Sequence, residues 1–591
     1  MPMHEETRPA RPRRLVGAAL LGALLAVALA AAPAPAAIRK LTYQVPVTQG
    51  DGFGQPVTID TDIYLPATPR PRRGYPLIEV FHGGGSDKTN SYDSGHAAFF
   101  AQHGYVSIIY SQRGNGSSTG QETVAGPLEM HDLFDVTAWA LGIGGRSQPA
   151  HPSLHIDRRR IGLTGYSQGG LNTNLAQVWS RDRTINPYGI SFAALEPGNT
   201  PDVTFNALVP GGVVKLSFGV GLLETYFVGT KARVDPILDK WIATAAADQP
   251  ELYGGAVCDA TGHDSQGSTM KQDLAARSTG CFASRMTPPS LWAQAFDDGL
   301  FPADMAISMW RRMPDDTDNR LYLSMGGHAA PAEPPAVERD RLAEQLRFFD
   351  HFLRGHRLHA PRVVYWTRDP TAAVPASSYQ YPDQAWQRHT AATWPPPGTF
   401  DRVFELGSDG RATLTTANSG DELLLPPSED ERNDSVALAA MSATPLGTSP
   451  VPTQIPATSS PGLVASFVTD PLGSEQELDG APSARLSWTP SSPDTQLVLE
   501  LFDQQPDGTL TLLSRGVTGL RGATPGAAQT VTVAGTAFSA RLRRGDRLVA
   551  WVLDGDPAFY KPYPDSSGGI LHAGPETTLS VPLRSPATAR R

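Results

Sequence analysis

Near residue 356 the chain changes the kind of structure its pattern permits. From residue 39 to 355, short apolar runs alternate with amphipathic stretches. The runs fall at 77–81, 105–110, 161–164, 190–195 and 321–325, and the helical stretches include 132–141, 171–180 and 337–353. The last carries Leu342, Leu346, Phe349 and Leu353 at three- and four-residue steps, the repeat of one helix face. Strands alternating with helices specify a mostly parallel sheet covered on both sides. After Gly355 the helical repeat stops. Runs at 362–366, 484–488, 496–501 and 547–552 are separated by turn chemistry such as Asp507-Gly508 and Ser408-Asp409-Gly410. That pattern predicts a β-sandwich or jelly roll. The 57 glycines and 53 prolines fit a chain with many turns. A Pro-, Ser-, Thr- and Ala-rich stretch at 426–461 reads as a surface excursion.

The first 37 residues read as an address. Arg8, Arg11, Arg13 and Arg14 precede an apolar run over 15–32, and Ala34-Pro35-Ala36 offers small residues at a cleavage-site spacing. The expectation is a signal peptide over 1–37 and a secreted or cell-envelope protein with no stable membrane insertion after cleavage. Export permits a disulfide between Cys258 and Cys281, the two cysteines of the chain. A net charge of -10 lacks the basic footprint that nucleic acid requires. The region at about 200–288 interrupts the strand–helix rhythm and holds both cysteines, so it is expected to be an inserted cap within a catalytic domain of 38–355, with 356–591 the sandwich.

Two segments fit G-x-S-x-G: 116–120, centred on Ser118, and 165–169, centred on Ser167. The motif works as a sharp turn from a strand into a helix, which lifts the serine hydroxyl above the sheet edge. Ser167 has a strand before it and a helix after it; Ser118 is followed by the poor helix former 121–127. A serine hydroxyl needs a base, and the base needs a carboxylate to orient it. In hydrolases with this elbow the order along the chain is serine, acid, histidine. His328 sits directly after the run 321–325, where a base belongs, whereas His351 lies in a helix and His263 in the insertion. Of the adjacent Asp297 and Asp298, Asp298 precedes Gly299 and is the expected acid. The backbone N–H of Gln168 is one expected oxyanion donor. His82-Gly83-Gly84-Gly85 follows an early strand, so the second donor is expected from Gly83 or Gly84. The fold expected is an α/β-hydrolase domain with an inserted cap, followed by an all-β jelly roll.

These residues resemble the secreted serine hydrolases related to cocaine esterase and the X-Pro dipeptidyl peptidases. The segment 112–120 resembles that family's Arg-Gly-x-Gly-x-Ser-x-Gly loop, so Ser118 is a loop residue by resemblance. The segments 132–139, 298–301, 327–328 and 348–355 are similar to the family's following helix, acid segment, base and closing helix. Trp394-Pro395-Pro396, Asp470-Pro471-Leu472 and Leu478-Asp479-Gly480 resemble the opening of its C-terminal jelly roll. One departure stands out. Family members often place a tyrosine hydroxyl on the early loop, and 81–85 contains none, leaving a backbone donor or Tyr92 for that role. The resemblance implies cleavage of a small ester or short peptide without metal or organic cofactor. The alternative from another class is a non-catalytic secreted binding protein, with the sandwich holding carbohydrate or a cell surface.

Overall fold

The computed structural model describes residues 38–586 apart from 52, 146–153, 217–225, 227–228, 232, 248–251, 253–256, 260–267, 297, 315–316, 326–327, 329–333, 370–385, 415–421, 426–453, 456–463 and 557–558. The expected signal peptide, His263, Asp297 and most of the expected surface excursion lie outside the described residues. No helix among the described residues is long and apolar enough to cross a membrane.

The N-terminal part is built on strands β1 (Arg39–Pro46), β2 (Thr58–Leu65), β3 (Tyr75–Phe81), β4 (Val106–Tyr110), β5 (Ile156–Tyr166), β6 (Ala194–Gly198), β7 (Leu291–Ala295), β8 (Arg320–Ser324), β9 (Val363–Arg368) and β10 (Trp386–Ala391). Their spatial order is β1-β2-β4-β3-β5-β6-β7-β8-β9-β10. Pairing is parallel from β4 through β9 and antiparallel at β1–β2, β2–β4 and β9–β10. Every residue of β4, β6 and β7 is buried, as a parallel sheet covered on both faces demands. The winding reverses at β3, which β4 flanks on one side and β5 on the other. Such a switch leaves a crevice beyond the carboxyl ends of the strands, where open α/β sheets bind ligands.

The helices are α1 (Ser91–Gln102), α2 (Pro127–Leu141), α3 (Gln168–Trp179), α4 (Thr204–Leu208), α5 (Pro236–Ala246), α6 (Met270–Ala276), α7 (Asp304–Arg312) and α8 (Pro335–Arg354). Two expectations are corrected here. The run 190–195 is a strand only from Ala194, and β6 continues through Glu196, Pro197 and Gly198 because β5 pairs with all of them. The buried face of α8 carries Arg341, Glu344 and Gln345 beside Val337, Phe348, Phe349 and Leu353, while Leu342 and Leu346 are half-buried. An apolar repeat cannot reveal polar residues buried in pairs. The run at 362–366 forms β9, which lies parallel to β8 and also meets the sandwich strand Phe538–Leu542 where Arg368 pairs with Ala540.

The C-terminal strands form two layers. One runs Arg411–Thr413, Ala465–Thr469, Arg547–Leu553, Thr495–Gln504, Leu510–Leu520 and Gln454–Ile455. The other runs Phe400–Leu406, Gly574–Arg584, then Gln476–Gly480 with Ser483–Pro490, then Phe538–Leu542 with Gln529–Ala534. Along Ser483–Pro490 buried positions alternate with less buried ones, so one face turns to a core holding Leu486 and Trp488 with Phe467, Leu499 and Leu501.

The insertion has an apolar cluster of its own, including Phe205, Leu208, Trp241, Met270 and Leu274, and a Cys258–Cys281 disulfide. Its Val213 packs among Val498, Phe502 and Trp551 of the sandwich, and Lys215 forms an antiparallel bridge with Tyr560. Insertion and sandwich are therefore one packed unit at this edge.

Candidate active site

Ser167 occupies the turn between β5 and α3 with φ 59° and ψ -126°, a conformation that costs a non-glycine residue free energy. Small neighbours make the turn possible. A Cβ on Gly169 would lie 2.2 Å from the Phe81 carbonyl oxygen, so only glycine lets α3 start this close to β3. The Ser167 N–H donates to the Gly198 carbonyl at 3.0 Å, and its own carbonyl accepts from Leu171 N–H at 3.0 Å, tying the elbow to β6 and α3.

Three sequence-expected residues converge here from distant parts of the chain. His328 Nε2 lies 2.8 Å from Ser167 Oγ, and His328 Nδ1 lies 2.8 Å from Asp298 Oδ2. Asp298 is buried, and its Oδ1 accepts the backbone N–H groups of Leu300 at 2.9 Å and Phe301 at 2.8 Å. One carboxylate oxygen thus closes the turn, leaving the other for the imidazole. The Phe301 ring stands edge-on to the His328 ring at 5.0 Å and limits its rotation. His351 bonds instead to the carbonyl of His356.

The Gly83–Gly84 loop faces the elbow. A Cβ on Gly83 would meet Ser167 Cβ at 3.6 Å. His82 fixes the start of this loop. Its Nδ1 is 2.8 Å from the Gly83 carbonyl, and its Nε2 accepts the Gln112 N–H at 2.9 Å. Only a neutral ring with its proton on Nδ1 can do both, and burial pushes the His82 pKa down to match. Ser118 is buried and structural: its hydroxyl donates to the Ser111 carbonyl at 2.6 Å and accepts the Asp60 N–H at 2.8 Å. The hydroxyl of Tyr92 accepts from Arg341 Nη2 at 2.7 Å, and its ring packs on Tyr166 and His96.

Residues 51–330 match the family model of X-Pro dipeptidyl-peptidase (S15 family), and residues 358–563 match that of the X-Pro dipeptidyl-peptidase C-terminal non-catalytic domain. The chain belongs to the X-Pro dipeptidyl-peptidase-like serine hydrolases. Its fold is shared by solved structures at low identity. An α-amino acid ester hydrolase aligns with TM-score 0.66 at 15% identity, over 94% of this chain and 98% of that one. An aminopeptidase from a marine sediment Thaumarchaeota archaeon aligns with TM-score 0.64 at 15% identity, over 93% and 97%. A CocE/NonD family hydrolase from Staphylococcus aureus aligns with TM-score 0.62 at 12% identity, over 93% and 97%. A comparison with curated protein sequences gave no match. Family membership favours the hydrolase reading over the binding-protein alternative.

Several residues at this S15-type site escaped sequence reasoning. Lys215, from the insertion, is fully buried and donates from Nζ to the carbonyls of Gly299 at 3.0 Å and Leu300 at 2.9 Å, directly behind Asp298. Burial pushes its pKa down to about 8, partly opposed by the Asp298 charge. Gln112, Glu122, Glu129 and Tyr226 surround the side chain of Gln168. Glu122, Glu129 and Tyr226 sit in no motif. Gln112 opens the segment 112–120 that resembles the family loop, and the resemblance gave its side chain no task.

Proposed function

We propose that this chain is an exported hydrolase that cleaves an ester or amide through an acyl-enzyme on Ser167. The observation that carries the reading is the unbroken run of hydrogen-bonding distances from Asp298 through His328 to Ser167, 2.8 Å at each link. In the first half-reaction Ser167 Oγ bonds to the substrate carbonyl carbon while His328 Nε2 takes the hydroxyl proton. The carbonyl electrons move onto oxygen, where the Gln168 N–H and a backbone N–H of the Gly83–Gly84 loop receive them. The tetrahedral intermediate then collapses. The bond to the leaving oxygen or nitrogen breaks, and His328 returns the proton to that atom. Water repeats the cycle on the acyl-serine, releasing the acid and regenerating the hydroxyl. Asp298 fixes the Nδ1–H tautomer and stabilises the imidazolium.

The substrate class spans esters and short peptides, as in the relatives described as an ester hydrolase and an aminopeptidase. Export is supported by the basic-then-apolar leader at 1–37 and fits the Cys258–Cys281 disulfide. Turnover of a p-nitrophenyl acyl ester and of an Ala-Pro anilide, measured for the native enzyme and Ser167→Ala, tests the reading. Hydrolysis of at least one substrate, abolished by the substitution, is expected. Hydrolysis that survives it overturns the nucleophile, and the faster substrate names the class.

A further inference from the structure

Both ends of the Gln168 carboxamide are held. Its Nε2 donates to Gln112 Oε1 at 2.7 Å and to Glu122 Oε1 at 2.7 Å, and its Oε1 accepts the Tyr226 hydroxyl at 2.5 Å. All four side chains are buried. We propose that Glu122 and Tyr226 are positioning residues that grip the Gln168 side chain and so hold the backbone N–H of residue 168 toward the acyl oxygen on Ser167.

The need for such a grip follows from the elbow. Ser167 sits at φ 59° and ψ -126°, and turning the peptide that joins it to Gln168 would carry ψ toward the left-handed region at the same φ. The same peptide carries the N–H that must face the oxyanion. At the first turn of a helix this N–H has no helical carbonyl to bond, so no helical hydrogen bond anchors it. Fixing the Gln168 side chain from two sides removes the rotation.

The grip is itself firmly built. Glu129 accepts the N–H and hydroxyl of Thr123 at 2.6 and 2.9 Å and the Ala125 N–H at 2.6 Å. Glu122 accepts the Val124 N–H at 2.9 Å and faces Asn115 Nδ2. Burial and the adjacent Glu129 push Glu122 well above the ordinary carboxyl range. The connecting residues Val124 and Ala125 have φ 54° and 58°, and Arg277 secures the loop by donating to the carbonyls of Thr123 and Val124 at 2.8 Å each. Strain of this kind persists only where surrounding bonds over-determine it. Tyr226 also rests on the second donor loop: a Cβ on Gly84 would lie 2.4 Å from its hydroxyl oxygen. The insertion thereby touches both expected oxyanion donors through one phenol.

The inference rests on Gln168 N–H acting as an oxyanion donor to an acyl group on Ser167. Its test is the kinetics of Tyr226→Phe, Glu122→Leu and Glu122→Gln on a p-nitrophenyl acyl ester, with melting curves and with fluorophosphonate adducts mapped by peptide mass. Loss of an entire oxyanion donor lowers kcat by roughly 10²–10³, so Tyr226→Phe, which only loosens one, should lower kcat about tenfold with KM little changed. Glu122→Leu should lose more, and Glu122→Gln, which keeps the shape and an acceptor oxygen for the Gln168 amide, should restore most of that loss. Native kcat in Tyr226→Phe, or equal losses in Glu122→Gln and Glu122→Leu, overturns the grip. Should Glu122→Leu fail to fold, Tyr226→Phe decides alone. An adduct on Ser167 in every variant keeps the nucleophile standing whichever way the grip falls, whereas an adduct elsewhere brings down the reading beneath it.

Discussion

At the scale of single residues, the site depends on placing a few polar atoms within tenths of an ångström. Asp298 illustrates this because its two oxygens have separate tasks, one closing the 298–301 turn and one orienting His328. Asp298→Asn should leave the turn largely intact and present an amide where the imidazole needs an acceptor. The expected loss in kcat is on the order of 10⁴, with little change in melting temperature. Gly84→Ala makes a different point. Its methyl would meet the Tyr226 hydroxyl at 2.4 Å and Gln168 Oε1 at 2.9 Å, so activity should drop through displacement of Gln168. Steady-state kinetics with a melting curve separates these effects from unfolding. Ser167, Asp298 and His328 were legible in the sequence because each chemistry requires a local signature: a small-residue elbow, an Asp-Gly turn, a histidine after a strand. Glu122, Tyr226 and Lys215 were not. A buried polar residue reads as surface until the partner that satisfies it is known, and those partners are 46, 58 and 84 residues away along the chain.

At the scale of elements, the sheet was largely readable because parallel strands buried on both faces appear as continuous apolar runs. It failed where burial is polar. Glu196 in β6 accepts from Tyr166 and Gln345, and Arg341 on α8 donates to Tyr92, so neither element announced its inner face by hydrophobicity. Glu79 in β3 carries a measurable consequence. It is fully buried, its Oε1 has no partner among the described residues, and burial pushes its pKa up to about 8. The folded protein therefore keeps a proton there that the unfolded chain releases above its ordinary value near 4.5. Stability from this group is full below that value and is lost as pH rises toward about 8. Glu79→Gln should raise the melting temperature by several degrees at pH 8 and have little effect at pH 4, read by calorimetry. The Cys258–Cys281 disulfide closes a separation of 23 residues, and its removal by Cys258→Ser with Cys281→Ser should cost roughly 3 kcal/mol in denaturant unfolding.

At the scale of the whole molecule, the sandwich reaches the turn after Asp298 through the insertion. Residues 213–216 lie between the sandwich segment 559–561 and the turn after Asp298, linked by the bonds Leu216 N–H to Phe559 carbonyl at 2.9 Å and Lys561 N–H to Val214 carbonyl at 2.8 Å. Lys215 then holds the carbonyls of Gly299 and Leu300. Lys215→Met should keep the packing volume, release that turn and lower kcat by about 10- to 100-fold, as expected when a reacting group shifts by up to an ångström. The boundary expected at 355–356 follows the loss of helical periodicity, and β9 just beyond it pairs with strands on both sides of that boundary. A fragment ending at Gly355 would strip β9 from β8 and should aggregate. All of this has meaning only if Ser167 is the atom that acts. The most direct measurement is peptide mapping of the protein after reaction with a fluorophosphonate. One adduct, on the peptide containing Ser167 and absent from Ser167→Ala, is the expected result; an adduct on another serine, or equal labelling of Ser167→Ala, contradicts it.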